Sequence, residues 1–212
     1  MDNGESHSFP QRKYESGADY AFAYQEQISA AWKSLDPDAI NRAIELLGSA
    51  IHDGKTIFSC GNGGSAAISN HLLCDFQKGI QTDTDLKPKV VSLSSNIEII
   101  TAIANDISYD DVFVYQLQTM AEPGDILLTI SSSGNSENIV RAIEWARENG
   151  VRTLALTGFD GGRSANAAEI NIHVDGDNYG VIEDAHQSIM HILAQYLRLA
   201  AMPANLIDER KF

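Results

Sequence analysis

Short apolar runs alternate with longer amphipathic segments along this 212-residue chain, and this alternation is its most constraining feature. The runs predict five strands, at residues 56–60, 88–94, 125–131, 152–158 and 169–174. The segments between and around them predict helices at residues 20–33, 36–54, 66–79, 95–106, 109–121, 137–150 and 181–201. Because the strands are apolar on both faces, they indicate a parallel sheet that helices cover on both sides, so the sequence predicts an α/β fold.

The domain organisation follows from the same pattern. Residues 1–18 are polar and predict a flexible N-terminal tail, and no linker divides residues 19–212, which predict a single domain with N-terminal helices. The chain carries 15 Lys plus Arg against 29 Asp plus Glu, a formal net charge of -14, which argues against a basic nucleic-acid-binding surface. With no apolar span or signal core, we expect no membrane partner and a cytoplasmic location.

Two turns between a strand and the following helix resemble each other. One reads Cys-Gly-Asn-Gly-Gly-Ser at 60–65, and the other reads Ser-Ser-Ser-Gly-Asn-Ser at 131–136. Such turns place free backbone N–H groups and the positive end of a helix at the carboxyl edge of a parallel sheet, where an anion can bind. Neither turn has a nucleotide fingerprint, so the pattern favours a sugar phosphate, although glycine and serine are also ordinary turn and cap residues.

The two turns, together with Leu-Thr-Gly-Phe-Asp-Gly-Gly at 156–162, resemble the SIS (sugar isomerase) domain and, more narrowly, the phosphoheptose isomerase family. The resemblance runs from about residue 30 to residue 199. It implies a five-stranded parallel flavodoxin-like sheet, a helical N-terminal extension and a homotetramer with sites at subunit interfaces. It also implies phosphate-binding positions at Ser65, Ser131, Ser133 and Ser136. Asn62, Asp106 and Ser132 would line the sugar, and Gly63 is a further substrate-binding position.

Two helices each carry a histidine and acidic or amide groups on one stripe. His71 and Asp75 are four residues apart, and Glu183, Gln187 and His191 follow one another at spacings of four. Imidazole nitrogen and carboxylate oxygen are ligands that Zn²⁺ prefers. The same spacings are also compatible with a surface ion pair or with a packed core histidine.

The resemblance assigns roles within this stripe. It implies zinc ligands at His71, Asp75, Glu183 and His191, with Asp75 and His191 as the catalytic pair. The chain departs from well-known members, which have Glu in place of Asp75 and Gln in place of Glu183. The base is therefore Asp75 or Glu183, and His186, which is about 60° off the stripe, is a supporting partner of the site or a packing residue.

The function that the resemblance implies is an aldose–ketose isomerase. It would convert D-sedoheptulose 7-phosphate to D-glycero-D-manno-heptose 7-phosphate through a cis-enediol, with a small-molecule sugar phosphate as its partner and one Zn²⁺ per subunit. The alternatives are an SIS isomerase of another sugar phosphate and a non-catalytic SIS protein that binds a sugar phosphate or a protein.

Overall fold

The fold is built on a parallel sheet, as a computed structural model that describes residues 8–212 shows. Its strands are β1 (Thr56–Gly61), β2 (Lys89–Ser92), β3 (Ile126–Ser131), β4 (Arg152–Thr157) and β5 (Ile170–His173). They pair in the order β2-β1-β3-β4-β5, and every pair is parallel. The predicted α/β fold with five parallel strands is confirmed, and the order is that of flavodoxin-like sheets.

The helices lie before, between and after these strands. They are α1 (Gly17–Lys33), α2 (Pro37–His52), α3 (Gly64–Cys74), α4 (Ile97–Asp106), α5 (Val114–Met120), α6 (Glu137–Glu148), α7 (Gly162–Ala167) and α8 (Tyr179–Ala201). Two differ from expectation: α3 passes into a π-helix at Asp75–Ile80, and α5 begins later than predicted, after a 3-10 turn at Tyr109–Asp111. The short α7 was not predicted, because its six residues are too few to show a period.

Alternate strand residues divide the core into two layers. Ile126, Leu128 and Ile130 pack under α1, α2, α3 and α8, whereas Phe58 and Leu127 pack under α4, α5 and α6. Each of these side chains is at most 1% exposed. Burial of one such side chain stabilises the fold by about 1.5–3 kcal/mol. The two layers hold the sheet rigidly, so its carboxyl edge is a fixed platform for loops.

The strand order places both glycine- and serine-rich turns side by side. The direction of winding changes between β1 and β3, which are hydrogen-bonded neighbours with Gly61 opposite Ile130. In open parallel sheets, ligands bind in the crevice outside the carboxyl ends of the two strands at this switch point. The two turns that follow β1 and β3 therefore border one crevice.

The predicted N-terminal tail and the expectation of no membrane-spanning helix can be compared with the structure in part. Residues 1–7 of the predicted tail lie outside the described residues. Within its described part, Phe9 is 7% exposed, packs against Tyr14, Tyr20 and Tyr24, and donates its N–H to Asp177. Among residues 8–212, no helix is both long enough and apolar enough to cross a bilayer.

Candidate active site

The turn after β1 depends on glycine at three of its positions. Gly63 caps α3 with a positive φ of 56°, which favours glycine. A Cβ on Gly61 would lie 2.6 Å from the backbone of Ser65, and one on Gly64 would lie 2.5 Å from Oε2 of Glu183. The Ser65 backbone therefore lies closer to Gly61, and the Glu183 carboxylate closer to Gly64, than a residue with a Cβ would allow.

The serine-rich turn after β3 is largely enclosed. Ser131 and Ser132 are buried, and Oγ of Ser132 has no hydrogen-bond partner among residues 8–212. Gly134 has a φ of 63°, and a Cβ there would overlap the carbonyl oxygen of Gly161. Ser136 caps α6 without using its hydroxyl, so that hydroxyl is free of the cap.

A third segment, after β4, holds the serine-rich turn in place. Gly158 donates its N–H to the Ser132 carbonyl at 2.9 Å, and Ser164 donates its N–H to the Gly134 carbonyl at 2.9 Å. The backbone N–H of Arg163 donates to Oδ1 of Asn135 at 3.1 Å. These contacts of the segment with the serine-rich turn were not predicted, and the signal for them is the glycine pair Gly161-Gly162, which permits such close backbone approach.

The predicted sugar-lining residues do not all lie in one cluster. Asn62 belongs to the glycine-rich turn, and its side chain pairs with that of Asn138 and accepts a hydrogen bond from the Tyr109 hydroxyl. Asp106 ends α4 at an exposed position, where it accepts a hydrogen bond from Asn105 at 2.7 Å. Asn138 and Tyr109 were not predicted as site residues.

The structure brings His71, Asp75 and His191 together from two helices. One ligand atom from each lies within 4.8 Å of the others. The Asp75 carboxylate lies between the rings, with Oδ2 2.7 Å from Nδ1 of His191 and Oδ1 3.3 Å from Nε2 of His71. Asp75 is the first residue of the π-helix, a local widening that often marks a functional site.

Gln187, and not Glu183, lies against this cluster. Its Nε2 is 2.9 Å from Nε2 of His191 and 3.2 Å from Nδ1 of His71, so each ring has one nitrogen facing Asp75 and the other facing Gln187. Glu183 lies one helical turn earlier, at the start of α3 beside Gly64. Burial, reinforced by the Asp184 carboxylate, raises the pKa of Glu183.

His186 takes no part in the cluster and is fully buried. Its Nε2 lies 3.1 Å from the carbonyl oxygen of Thr157 at the end of β4, and its Nδ1 has no hydrogen-bond partner in the described part of the chain. It thereby ties α8, the helix that carries Glu183, Gln187 and His191, to the carboxyl edge of the sheet.

Three features define an SIS domain. They are the fold, the two turns at the switch point and the segment after β4 that holds the serine-rich turn in place. The family model of the SIS domain matches residues 22–158. A phosphoheptose isomerase of Alteromonas mediterranea is 34% identical over 195 residues, which cover 91% of this chain and 97% of the relative. A probable phosphoheptose isomerase of Thermoplasma volcanium is 36% identical over 174 residues, covering 82% and 88%.

Solved structures agree with these relatives. The phosphoheptose isomerase of Neisseria gonorrhoeae superposes with a TM-score of 0.77 at 31% identity, covering 85% of this chain and 97% of its own. That of Francisella tularensis gives 0.78 at 29% identity, covering 87% and 99%. The chain belongs to the phosphoheptose isomerase family.

Proposed function

We propose that the protein is an aldose–ketose isomerase that converts D-sedoheptulose 7-phosphate to D-glycero-D-manno-heptose 7-phosphate. The observation that carries the proposal is a His-Asp-His cluster that α8 forms with the helical segment after the glycine-rich turn, in a sheet whose switch point places the two phosphate-type turns side by side. The names of the relatives in this family support the same substrate.

The phosphate would bind without a basic pocket. We propose that hydroxyl and backbone N–H groups of the two turns hold it, because helix N-termini attract anions even in a chain of net charge -14. The proposed phosphate contacts are Ser65, Ser131, Ser133 and Ser136. The proposed sugar contacts are Asn62, Gly63, Asp106 and Ser132. Since the phosphate is remote from the reacting carbons, its binding would supply positioning.

The reaction requires a base at the carbon next to the carbonyl and an acid at the carbonyl oxygen, and passes through a cis-enediol. His191 is the proposed acid, and the contact of its Nδ1 with Oδ2 of Asp75 at 2.7 Å orients the ring. The proposed base is Asp75 or Glu183. Both oxygens of Asp75 face imidazoles, whereas Glu183 has a raised pKa and no hydrogen-bond partner among the described residues, which favours proton uptake by Glu183.

The donor set fits a zinc ion. Two imidazoles and a carboxylate that converge within 4.8 Å match the three-ligand pattern of catalytic zinc sites. We propose that His71, Asp75 and His191 would hold the ion, and that Glu183 would be the fourth ligand, as the resemblance implies. When bound, zinc polarises a carbonyl oxygen as a Lewis acid.

A turnover assay tests the proposal. The purified protein is given sedoheptulose 7-phosphate and, separately, hexose and pentose phosphates, and its metal content is measured by elemental analysis. Asp75→Asn and His191→Gln should abolish turnover and leave thermal unfolding nearly unchanged, whereas the exposed control Asp53→Asn should be fully active. Full activity in both site variants would refute the assignment, and turnover of only a hexose or pentose phosphate would refute the substrate.

Three further proposals concern the protein as a whole. We propose that residues 19–212 form one SIS domain, that the protein acts in the cytoplasm, and that it is a homotetramer.

A row of exposed apolar side chains along α8 supports the oligomer. The row consists of Ile192, Tyr196 and Leu199, and their spacings of four and three place them on one face of the helix.

A further inference from the structure

A reciprocal pair of amide side chains joins the two turns of the site. Nδ2 of Asn62 donates to Oδ1 of Asn138 at 2.9 Å, and Nδ2 of Asn138 donates to Oδ1 of Asn62 at 3.0 Å. Asn138 is 2% exposed and lies in the first turn of α6, directly after the serine-rich turn. Asn62 belongs to the glycine-rich turn. This pair therefore sets the position of one turn relative to the other.

A tyrosine hydroxyl completes the arrangement. Tyr109, on the 3-10 turn after α4, donates its hydroxyl to Oδ1 of Asn62 at 2.9 Å. An amide oxygen has two lone pairs, and both are now used, by Asn138 and by Tyr109. The amide nitrogen of Asn62 has two hydrogens, of which Asn138 takes one. A single N–H is left, so the Asn62 side chain can act only as a donor toward a ligand.

We propose that Asn138 and Tyr109 are positioning residues, which hold the Asn62 amide so that its one free N–H donates to an oxygen of the sugar phosphate. The inference rests on the proposed function, in which Asn62 lines the sugar. It adds a consequence for recognition: the ligand must present an acceptor oxygen to Asn62, since a ligand group that can only donate would find no free lone pair there.

The first experiment is a double-mutant cycle on kcat/KM with sedoheptulose 7-phosphate. Asn138→Asp keeps the shape of the side chain but turns its donor into an acceptor that faces Oδ1 of Asn62, so kcat/KM should fall about tenfold, the scale of one lost hydrogen bond. In an Asn62→Ala background the same change should cost less than about twofold, because the group to be positioned is gone.

Tyr109→Phe is the second variant, and it removes only a hydroxyl from a residue that is 53% exposed. It should lower kcat/KM about threefold, with no further loss in the Asn62→Ala background. Tyr115→Phe is its matched control: Tyr115 is 49% exposed, and its hydroxyl has no hydrogen bond within residues 8–212. The control should leave kcat/KM unchanged.

The outcomes distinguish the positioning role of Asn138 and Tyr109 from the proposed isomerase function. Equal losses with and without Asn62 would mean that Asn138 and Tyr109 act through the fold alone and would overturn the positioning role. Thermal unfolding is followed in parallel, because a purely structural role lowers stability equally in both backgrounds. Absence of turnover in the unmodified protein would instead refute the proposed function. If Asn138→Asp fails to fold, the Tyr109→Phe cycle decides the question.

Discussion

A buried histidine should make the stability of this protein depend on pH in a defined window. His186 is 0% exposed, and its Nε2 faces the Thr157 carbonyl, so Nε2 carries the proton and donates it. Burial lowers the pKa of His186 to about 4; the Thr157 hydrogen bond opposes this shift, and the nearby His173 adds to it. The imidazole is therefore neutral in the folded protein at neutral pH.

The magnitude follows from the difference between the folded and unfolded states. An unfolded histidine has a pKa of about 6.5, so between pH 6.5 and pH 4 the unfolded chain binds more protons than the folded one. The free energy of unfolding therefore falls as the pH falls through this window. At about 1.36 kcal/mol for each pH unit of pKa difference, His186 should cost about 2 kcal/mol at pH 5 and about 3 kcal/mol below pH 4.

Urea unfolding at pH 7.5, 6 and 5 measures this dependence in the unmodified protein and in His186→Phe. Phenylalanine removes the titrating group and its unpaired Nδ1, and the Thr157 carbonyl still accepts the N–H of Val174 at 2.8 Å. Between pH 7.5 and pH 5 the unmodified protein should lose about 2 kcal/mol more than the variant does. An exposed control, His52→Asn, should keep the full dependence. Parallel pH curves for the unmodified protein and His186→Phe would refute the reasoning.

Three further changes test other parts of the structure. Gly134 has a φ of 63° and lies against the Gly161 carbonyl, so Gly134→Ala should lower the free energy of unfolding by about 2 kcal/mol and raise KM. The control Gly176→Ala, where a Cβ meets only an ordinary 3.5 Å contact, should change neither quantity. Thermal melts and steady-state kinetics measure the two effects. Glu183→Gln should lower kcat about 100-fold if Glu183 is the base; an unchanged kcat would assign that role to Asp75. Tyr196→Glu places a charge in the exposed apolar row of α8, so light scattering should show a mass below that of a tetramer, and an intact tetramer would exclude this face as an interface.

Features that depend on local spacing could be predicted from the sequence. The five strands, the parallel sheet and the two phosphate-type turns follow from short apolar runs and from glycine and serine at strand ends. The pairing of His71 with Asp75 follows from a four-residue spacing on one helix. These signals survive in a single sequence because each involves only neighbours along the chain.

Several features of the candidate site involve residues that are far apart and carry no local signal. The Asn62–Asn138 pair spans 76 residues, and the contact between Asp75 and His191 spans 116. The close approach of Gly134 to Gly161 also has no local signal, because each glycine by itself indicates only an ordinary turn. The π-helix at Asp75 also escaped prediction, because its residues continue the amphipathic pattern of α3.

By itself, the sequence determined which residues share a strand, a turn or a helix face, because backbone geometry repeats every two or 3.6 residues. Only the tertiary structure decided which faces meet. Helix α8 carries Glu183, Gln187 and His191 on one stripe, and nothing local sets which of them lies opposite Asp75. The rotation and height of α8 against α3 follow from packing of buried residues such as Leu72, Ile189 and Leu193, and this packing places Gln187 at the histidines and Glu183 beside the glycine-rich turn.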